Sequence, residues 1–273
     1  VSILKKIILH TCLIIGVLIS IFPFYWLIVM STNDSSAAYT FPPVWTFGDQ
    51  FFVNVQKVFA EIPFLQSMFN TLIVSTLSTV LVLFFSSLAG FVFAKFKFPG
   101  KNKLFIFTLT TMMIPAQLSL IPMFIMMQEI GWIDSYKALI IPGLVSAFGI
   151  FWIKQYAEGA IHDDLLNAAR IDGCGIFRMY WNIALPVLKP ALAFLAIFNF
   201  MAVWNDYLWP LIVLNDPSKY TLMVALANLK GLHATDHAAV MTGTFLGTLP
   251  LIALFLIASR QFISDIAAGA VKD

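Results

Sequence analysis

The chain has 273 residues, 60% of them hydrophobic and 11% charged, with a mean hydropathy of +0.89 and a formal net charge of +2. Soluble domains carry about 25% charged residues, so a free water-exposed globule is excluded and a bilayer is the simplest solvent. So small a charge with no basic tract offers nothing to a nucleic-acid backbone, and the two cysteines, Cys12 in an apolar run and Cys174 in a polar loop, make neither a disulfide framework nor a metal site.

In chain order, Lys5 and Lys6 precede an apolar run over residues 7–30. It exceeds the roughly 7–15 apolar residues of a secretory signal core and is followed by no small-x-small cleavage pattern, so it is expected to remain as an anchor. A helix needs about 20 apolar residues to cross the hydrocarbon layer. Five further stretches approach that length: 68–94, 104–127, 138–153, 191–214 and 239–258. The 138–153 stretch is short and contains Pro142 and Gly143. Proline within other spans (Pro115, Pro122, Pro210, Pro250) predicts a packed bundle around a cavity, because freed backbone groups need neighbours or water. The expected fold is an all-α membrane protein of six transmembrane helices in one domain over residues 1–273.

Between the first two spans, Phe52, Val55, Val58 and Phe59 stand at helical spacing, which predicts an amphipathic helix. After the fourth span, residues 154–189 form a loop of unusual length for a bundle connection. Within it, Asp163 or Asp164 suits a helix cap, and Leu165, Leu166, Ala168, Ala169 and Ile171 give an apolar face. Gly173 supplies a left-handed stop. A second helix places Ile176, Phe177, Tyr180 and Ile183 at three- and four-residue spacing, with Pro186 and Pro190 ending it. Two short helices with apolar faces need a partner to cover them.

The fifth span carries Trp204, Asn205, Asp206, Tyr207 and Trp209. A carboxylate at the bilayer centre costs about 2.5–3.5 kcal/mol on insertion scales, so Asp206 is expected to face the bundle interior or a watery path. Aromatic rings beside amide and carboxylate acceptors are chemistry that holds sugars; an interfacial aromatic belt bent by Pro210 is the structural alternative. Asn205 and Trp209, four apart, are expected on one helical face. Beyond this span His233, Asp236 and His237 imitate metal-ligand spacing, but Ala234 replaces the Glu of a zinc-protease helix and a surface loop is expected. In the sixth span Gly243 and Gly247 form a GxxxG pair, open to an intrachain contact, a partner helix or plain core packing.

Orientation follows from the 16 Lys and Arg residues: twelve fall on one set of segments (5, 6, 95, 97, 101, 103, 154, 170, 178, 189, 260, 272) and four on the other (57, 137, 219, 230). The twelve are expected to face the cytoplasm, with both termini.

The run Asn167-Ala168-Ala169-Arg170-Ile171-Asp172-Gly173, followed by Ile183-Ala184-Leu185-Pro186, resembles the EAA loop of bacterial ABC importer permeases. Residues 91–104, 113–155, the Trp204-Asn205-Asp206-Tyr207-Leu208-Trp209-Pro210 run and the terminal Ala268-Gly269-Ala270-Val271-Lys272 are similar to the carbohydrate-uptake branch, in particular its maltose-type second permease. The resemblance implies a type I importer fold in a prokaryotic inner membrane, with a multi-pass chain and both termini cytoplasmic. It implies that 154–189 holds a coupling helix docking on an ATPase: Ala168, Ala169 and Gly173 would allow close approach, Arg170 and Asp172 would supply polar contacts, and Leu185 and Pro186 would complete the motif. Asn167 stands where the motif has Glu and cannot form an ion pair. Gly269, Ala270, Val271 and Lys272 would reach into the ATPase dimer. The implied partners are a second permease (a heterodimer), two ATPase subunits that bind ATP and Mg, an extracytoplasmic solute-binding protein, membrane lipid and a carbohydrate substrate.

No Gly-x4-Gly-Lys-Ser/Thr phosphate loop occurs, so ATP hydrolysis is expected in partner subunits and no cofactor in this chain. The competing expectation is an ion-coupled secondary transporter or channel subunit with Asp206 as its ion site.

Overall fold

A computed structural model of the chain describes residues 3–230 and 235–270. The described residues are helical, with one isolated bridge between Lys230 and Thr235 in place of any strand. They divide into two compact units, Val1–Gln66 with Val224–Pro250, and Ser67–Met223 with Leu251–Asp273.

The first unit begins with α1 (Ile3–Thr32), whose apolar side chains are exposed over most of its length and become buried only at Val29, Met30 and Ser31. A helix apolar all round and uncovered by its own chain is suited to lipid or to another membrane helix. At its end α2 (Phe51–Glu61) is the amphipathic helix expected, with a different inner edge. Phe52 and Phe59 are exposed, whereas Asn54 and Val58, one turn apart, are buried. The Asn54 amide donates to the carbonyls of Ser31 (3.0 Å) and Asn33 (2.9 Å), which have run out of helical partners at the end of α1. A polar side chain therefore holds the position that periodicity assigns to an apolar one.

The second unit is built on α3 (Phe64–Lys95), 32 residues long. Next come α4 (Lys101–Thr111), a 3₁₀ turn (Ala116–Ser119) and α5 (Leu120–Glu129). The 104–127 stretch is thus broken at Pro115, and its two arms bend by 90°. Proline lacks the N–H and disfavours helix at the residue before it. The same chemistry divides the 138–153 stretch: α6 (Tyr136–Ile140) stops short of Pro142, and α7 (Ala147–Ala160) starts afresh with Ser146 Oγ accepting from Gly149 N at 3.0 Å. No single helix covers this stretch, and α7 carries Lys154 and Glu158 as its own last turns rather than as the start of a loop.

α3 and α7 approach closely because each places a small residue opposite the other. A Cβ on Gly90 would lie 2.7 Å from Ile153 Cγ2, and one on Gly149 would run into Ser86. Small residues at four-residue spacing are what lets membrane helices touch backbone to backbone. Among the described residues three helices are long and apolar enough to span a bilayer (Ile3–Thr32, Phe64–Lys95, His237–Ile257), and the number rises to five where each of two bent pairs is counted as one span. The remaining elements are α8 (Asp163–Ile171), α9 (Ile176–Met179), a π-helical turn (Tyr180–Ala184), α10 (Leu185–Val187), α11 (Lys189–Trp204), α12 (Leu208–Val213), α13 (Leu222–Asn228) and α14 (His237–Ala270). In the first unit Gly243 of α14 takes the intrachain contact: a Cβ there would fall 2.6 Å from Leu226 Cδ2 and 3.2 Å from Leu229 Cδ1.

Candidate functional site

The segment after α7 turns in two residues, Ile161 and His162, into α8. His162 occupies the cap position without a side-chain bond, so neither Asp163 nor Asp164 is the cap; both sit inside the first turn, where the helix dipole favours them. The Asp163 carboxylate is taken instead by Lys95 at the end of α3, 2.9 Å away, and the ammonium holds this carboxyl below the usual carboxylate range. Gly173 has φ +76°. Cys174 N–H donates to Ala169 O (2.9 Å) and Gly173 N–H to Arg170 O (3.0 Å), the paired bonds of a Schellman stop.

The face of α8 is split. Leu166 and Ala169, three apart, are 2% and 6% exposed and belong to a core with Phe91, Ile153, Ala157, Met179 and Tyr180. Leu165, Ala168 and Ile171 lie on the outer side, Ile171 being 87% exposed, and Ile176 and Phe177 of α9 are exposed as well. The motif resemblance puts Ala168 and Ala169 together at a docking surface; in the structure Ala169 faces the interior and only Ala168 remains outside. Arg170 is turned along the helix: its guanidinium donates to Asn167 Oδ1 (2.9 Å) and lies 5.9 Å from the Phe96 ring centroid. Asn167 and Arg170 are therefore paired along the helix, with Asp172 and Gly173 exposed beside them. A cleft of about 430 Å³ opens here, lined by Lys95, Lys97, Asp163, Leu166, Asn167 and Arg170.

The second helix runs from Ile176 to Val187, with five π-helical residues in its middle. Leu185 and Pro186 form its last turn, and a 76° bend at Leu188 leads into α11. Pro186 is inside the helix rather than its terminator. The π turn relaxes the ladder just before the proline ring, where an α-helical register would clash.

At the other candidate site the fifth apolar stretch is broken where hydropathy suggests one continuous helix. α11 ends at Trp204 and α12 begins at Leu208, leaving Asn205, Asp206 and Tyr207 in the gap. Asn205 and Trp209 consequently share no helical face. Trp204 is buried, and Trp209 is anchored by an Nε1–H bond to Ala138 O at 2.9 Å, so neither offers a free ring. Asn205 and Tyr207 are exposed; Asp206 is half-buried and accepts from the backbone N–H groups of Leu208 and Trp209. The break itself has a polar cause. Asn205 Nδ2 donates back to Met201 O (2.8 Å), the same carbonyl that its own N–H reaches (3.1 Å), and Asp206, one residue before the Tyr207 cap position, accepts from the first turn of α12.

A charged cluster with no counterpart among the sequence expectations lies at the far end of α12. Asp134, with φ +59°, accepts from Asn215 N, Asp216 N (both 3.0 Å) and Lys219 Nζ (2.6 Å), and its own N–H donates to Val213 O. Lys219 and the two amides draw its pKa down to about 2. Asn70 and Thr71 of α3 fasten the same loop, through Ser218 O, Tyr220 O and Leu222 N. The Trp-Ile-Asp-Ser run at 132–135 and the Asn-Asp-Pro turn at 215–217 carried the signal, but nothing local pairs them.

Of the metal-like trio, His233 lies outside the described residues; Asp236 pairs with Lys57 (3.0 Å) and His237 Nε2 bonds Tyr39 Oη (2.8 Å). Gly269 and Ala270 end α14, while Val271 and Lys272 lie outside the described residues.

Residues 83–266 match the family described as binding-protein-dependent transport system inner membrane component. The arabinooligosaccharides transport system permease protein AraQ of Bacillus subtilis is 37% identical over 75% of this chain and 72% of its own. The lactose transport system permease protein LacG of Rhizobium radiobacter is 32% identical over 98% and 97%, and the sn-glycerol-3-phosphate transport system permease protein UgpE of Yersinia enterocolitica 31% over 93% of both. A chain of a bacterial ABC transporter that imports alginate has the same fold, with a TM-score of 0.80 at 23% identity over 94% of this chain and 96% of that one. None of these relatives favours the ion-coupled alternative.

Proposed function

The chain belongs to the binding-protein-dependent transport system inner membrane component family, and we propose that it is one permease half of an ATP-driven importer for a carbohydrate. It works with a second permease, two ATPase subunits that bind ATP and Mg, and an extracytoplasmic solute-binding protein. The relatives' names support the substrate class: an arabinooligosaccharide, lactose and a polyol phosphate are all polyhydroxylated. Six crossings require α6 and α7 together to make the fourth, and the excess of Lys and Arg on one set of loops supports a cytoplasmic side for both termini.

The observation that carries the reading is the split face of α8. Its inner edge is fixed in a core with α3 and α7, while its outer edge presents Leu165, Ala168 and Ile171 with Ile176 and Phe177. An apolar edge on a rigid support is suited to fill a hydrophobic groove on a water-soluble partner, in the helix-in-groove manner. Ala168, Asp172 and Gly173 border the contact; Asn167, Ala169, Arg170, Leu185 and Pro186 shape its support. The C-terminal residues 269–272 would add a second contact with the ATPase. In the break at 205–207, Asn205, Asp206 and Tyr207 line the solute path, and Trp204 and Trp209 hold its walls.

Co-purification tests the docking. Wild-type chain expressed with its ATPase subunits should retain them, and Ala168→Arg, which places a long cation on the exposed edge without touching the core, should release them. Full retention by that variant sinks the docking assignment.

A further inference from the structure

Displacement of the α8–α9 segment can reach the membrane-embedded helices by two routes. One follows the chain into α11. It passes through five π-helical residues, a proline and a 76° bend. Each of these weakens or interrupts the i to i−4 ladder that makes a helix stiff.

The other route crosses side-chain contacts into α3, and it is dense. Positions 87, 91 and 95 follow one another at four-residue spacing and so share a face of α3. Ser87 meets Tyr180: the two hydroxyl oxygens are 2.7 Å apart, with both residues about 1% exposed. Ser87 Oγ also lies 3.0 Å from Phe84 O, to which it can only donate, so Tyr180 donates to Ser87. One turn on, the Phe91 ring packs on Tyr180 at a centroid distance of 6.2 Å. A further turn on, Lys95 holds Asp163 at 2.9 Å, and the adjacent Phe96 ring lies under Arg170. Gly90 tightens the same region by admitting Ile153.

We propose that Tyr180 is a positioning residue that pins the ATPase-facing segment to α3, so that α3 and the 163–180 segment move as one body. α11 follows through the compliant π turn and the Leu188 bend. This inference rests on the coupling role given above to α8. It assigns the output of that segment to the helix it touches, not to the helix it continues into. A hydroxyl bond has a definite direction and length, whereas an apolar contact can slide. That is why one buried tyrosine can fix the register between two helices that apolar packing alone leaves adjustable.

The test uses the importer reconstituted in vesicles with its ATPase subunits, partner permease and binding protein. Tyr180→Phe keeps the ring and its packing and removes only the bond. It should retain the ATPase subunits at the wild-type level, while solute imported per ATP hydrolysed falls about fivefold, on the scale of one lost buried hydrogen bond. Ser87→Ala should do the same, and the double variant should be no worse than either single one, because both remove one bond. An unchanged ratio in the single variants, or a multiplied loss in the double one, overturns the proposal. So does failure of a second measurement. With Cys12 and Cys174 replaced by Ser, Lys95→Cys and Asp163→Cys joined by a short bifunctional maleimide should still permit transport, since the joined parts do not move past each other. Transport that stops on cross-linking means that they slide. Loss of the ATPase subunits from the Ala168→Arg importer checks the underlying docking separately, so the failure of one reading is distinguishable from the failure of the other.

Discussion

The second unit holds its two chain-crossing clusters in opposite ways. At residues 213–222 the loop is fixed by directional polar bonds: Asp134 binds two amides and Lys219, and Asn70 and Thr71 bind three backbone groups. No large apolar side chain among residues 213–222 is exposed. At residues 161–187 the segment is held by an apolar core with one buried hydroxyl pair and one ion pair at its margin, and it leaves an apolar edge outside. A structure closed by its own hydrogen bonds needs no partner. One that is packed on one side and apolar on the other has half of an interface already built. The difference marks the 161–187 segment as the part that calls for a partner and the 213–222 loop as one closed by its own bonds.

Substitutions test this contrast directly. The largest effect is expected at Leu166, 2% exposed in the core: Leu166→Ala should cost about 2–5 kcal/mol, read as a lower thermal unfolding midpoint in detergent. A loss below about 1 kcal/mol would mean that α8 is not anchored inward. Gly90→Val should come next, destabilising by about 1–3 kcal/mol through overpacking against Ile153; an unchanged midpoint would show that α3 and α7 do not approach so closely.

Substitutions at Asp206 separate its two roles. Asp206→Asn keeps an acceptor for the Leu208 and Trp209 amides but removes the charge. If capping is its whole contribution, uptake by the Asn variant stays near wild type while Asp206→Ala loses it. If charge on the path matters, both lose uptake.

The self-closed 213–222 loop responds to acid. With its pKa drawn down to about 2 by Lys219 and the two amides, Asp134 stabilises the folded loop fully above the unfolded value of about 3.9. That contribution disappears as pH falls from about 4 toward 2. It should amount to about 0.2–1 kcal/mol, since the pair is partly exposed and solvent-screened. The unfolding midpoint of wild type should therefore drop through that window, and Asp134→Asn should lack this component. The smallest effect is expected at Ile171, 87% exposed: Ile171→Ala should shift stability by less than about 0.5 kcal/mol while weakening retention of the ATPase subunits. A large loss of stability would place Ile171 in a core.

Much of the candidate site was legible because it depends on near neighbours in sequence. Gly173 announces the end of α8, and the three- and four-residue spacing of Ile176, Phe177, Tyr180 and Ile183 announces the helix after it. Which of Ala168 and Ala169 faces inward was not legible. Both are small and apolar, and only the position of α3 and α7 selects one. The continuous fifth helix failed for another reason: hydropathy averages over Asn205 and Asp206, whereas the backbone responds to their individual hydrogen bonds.

Composition, periodicity and turn chemistry act over a few residues, and they were enough to establish a membrane chain, the places of its apolar stretches, the distribution of its charges and the stop of α8 at Gly173. The inner and outer edges of α8, the meeting of Asp134 with Lys219 85 residues away and the reach of Tyr180 to Ser87 across 93 are visible only in the folded chain. Such pairings are fixed by the packing of whole helices, and no local pattern encodes which distant surface a side chain will find.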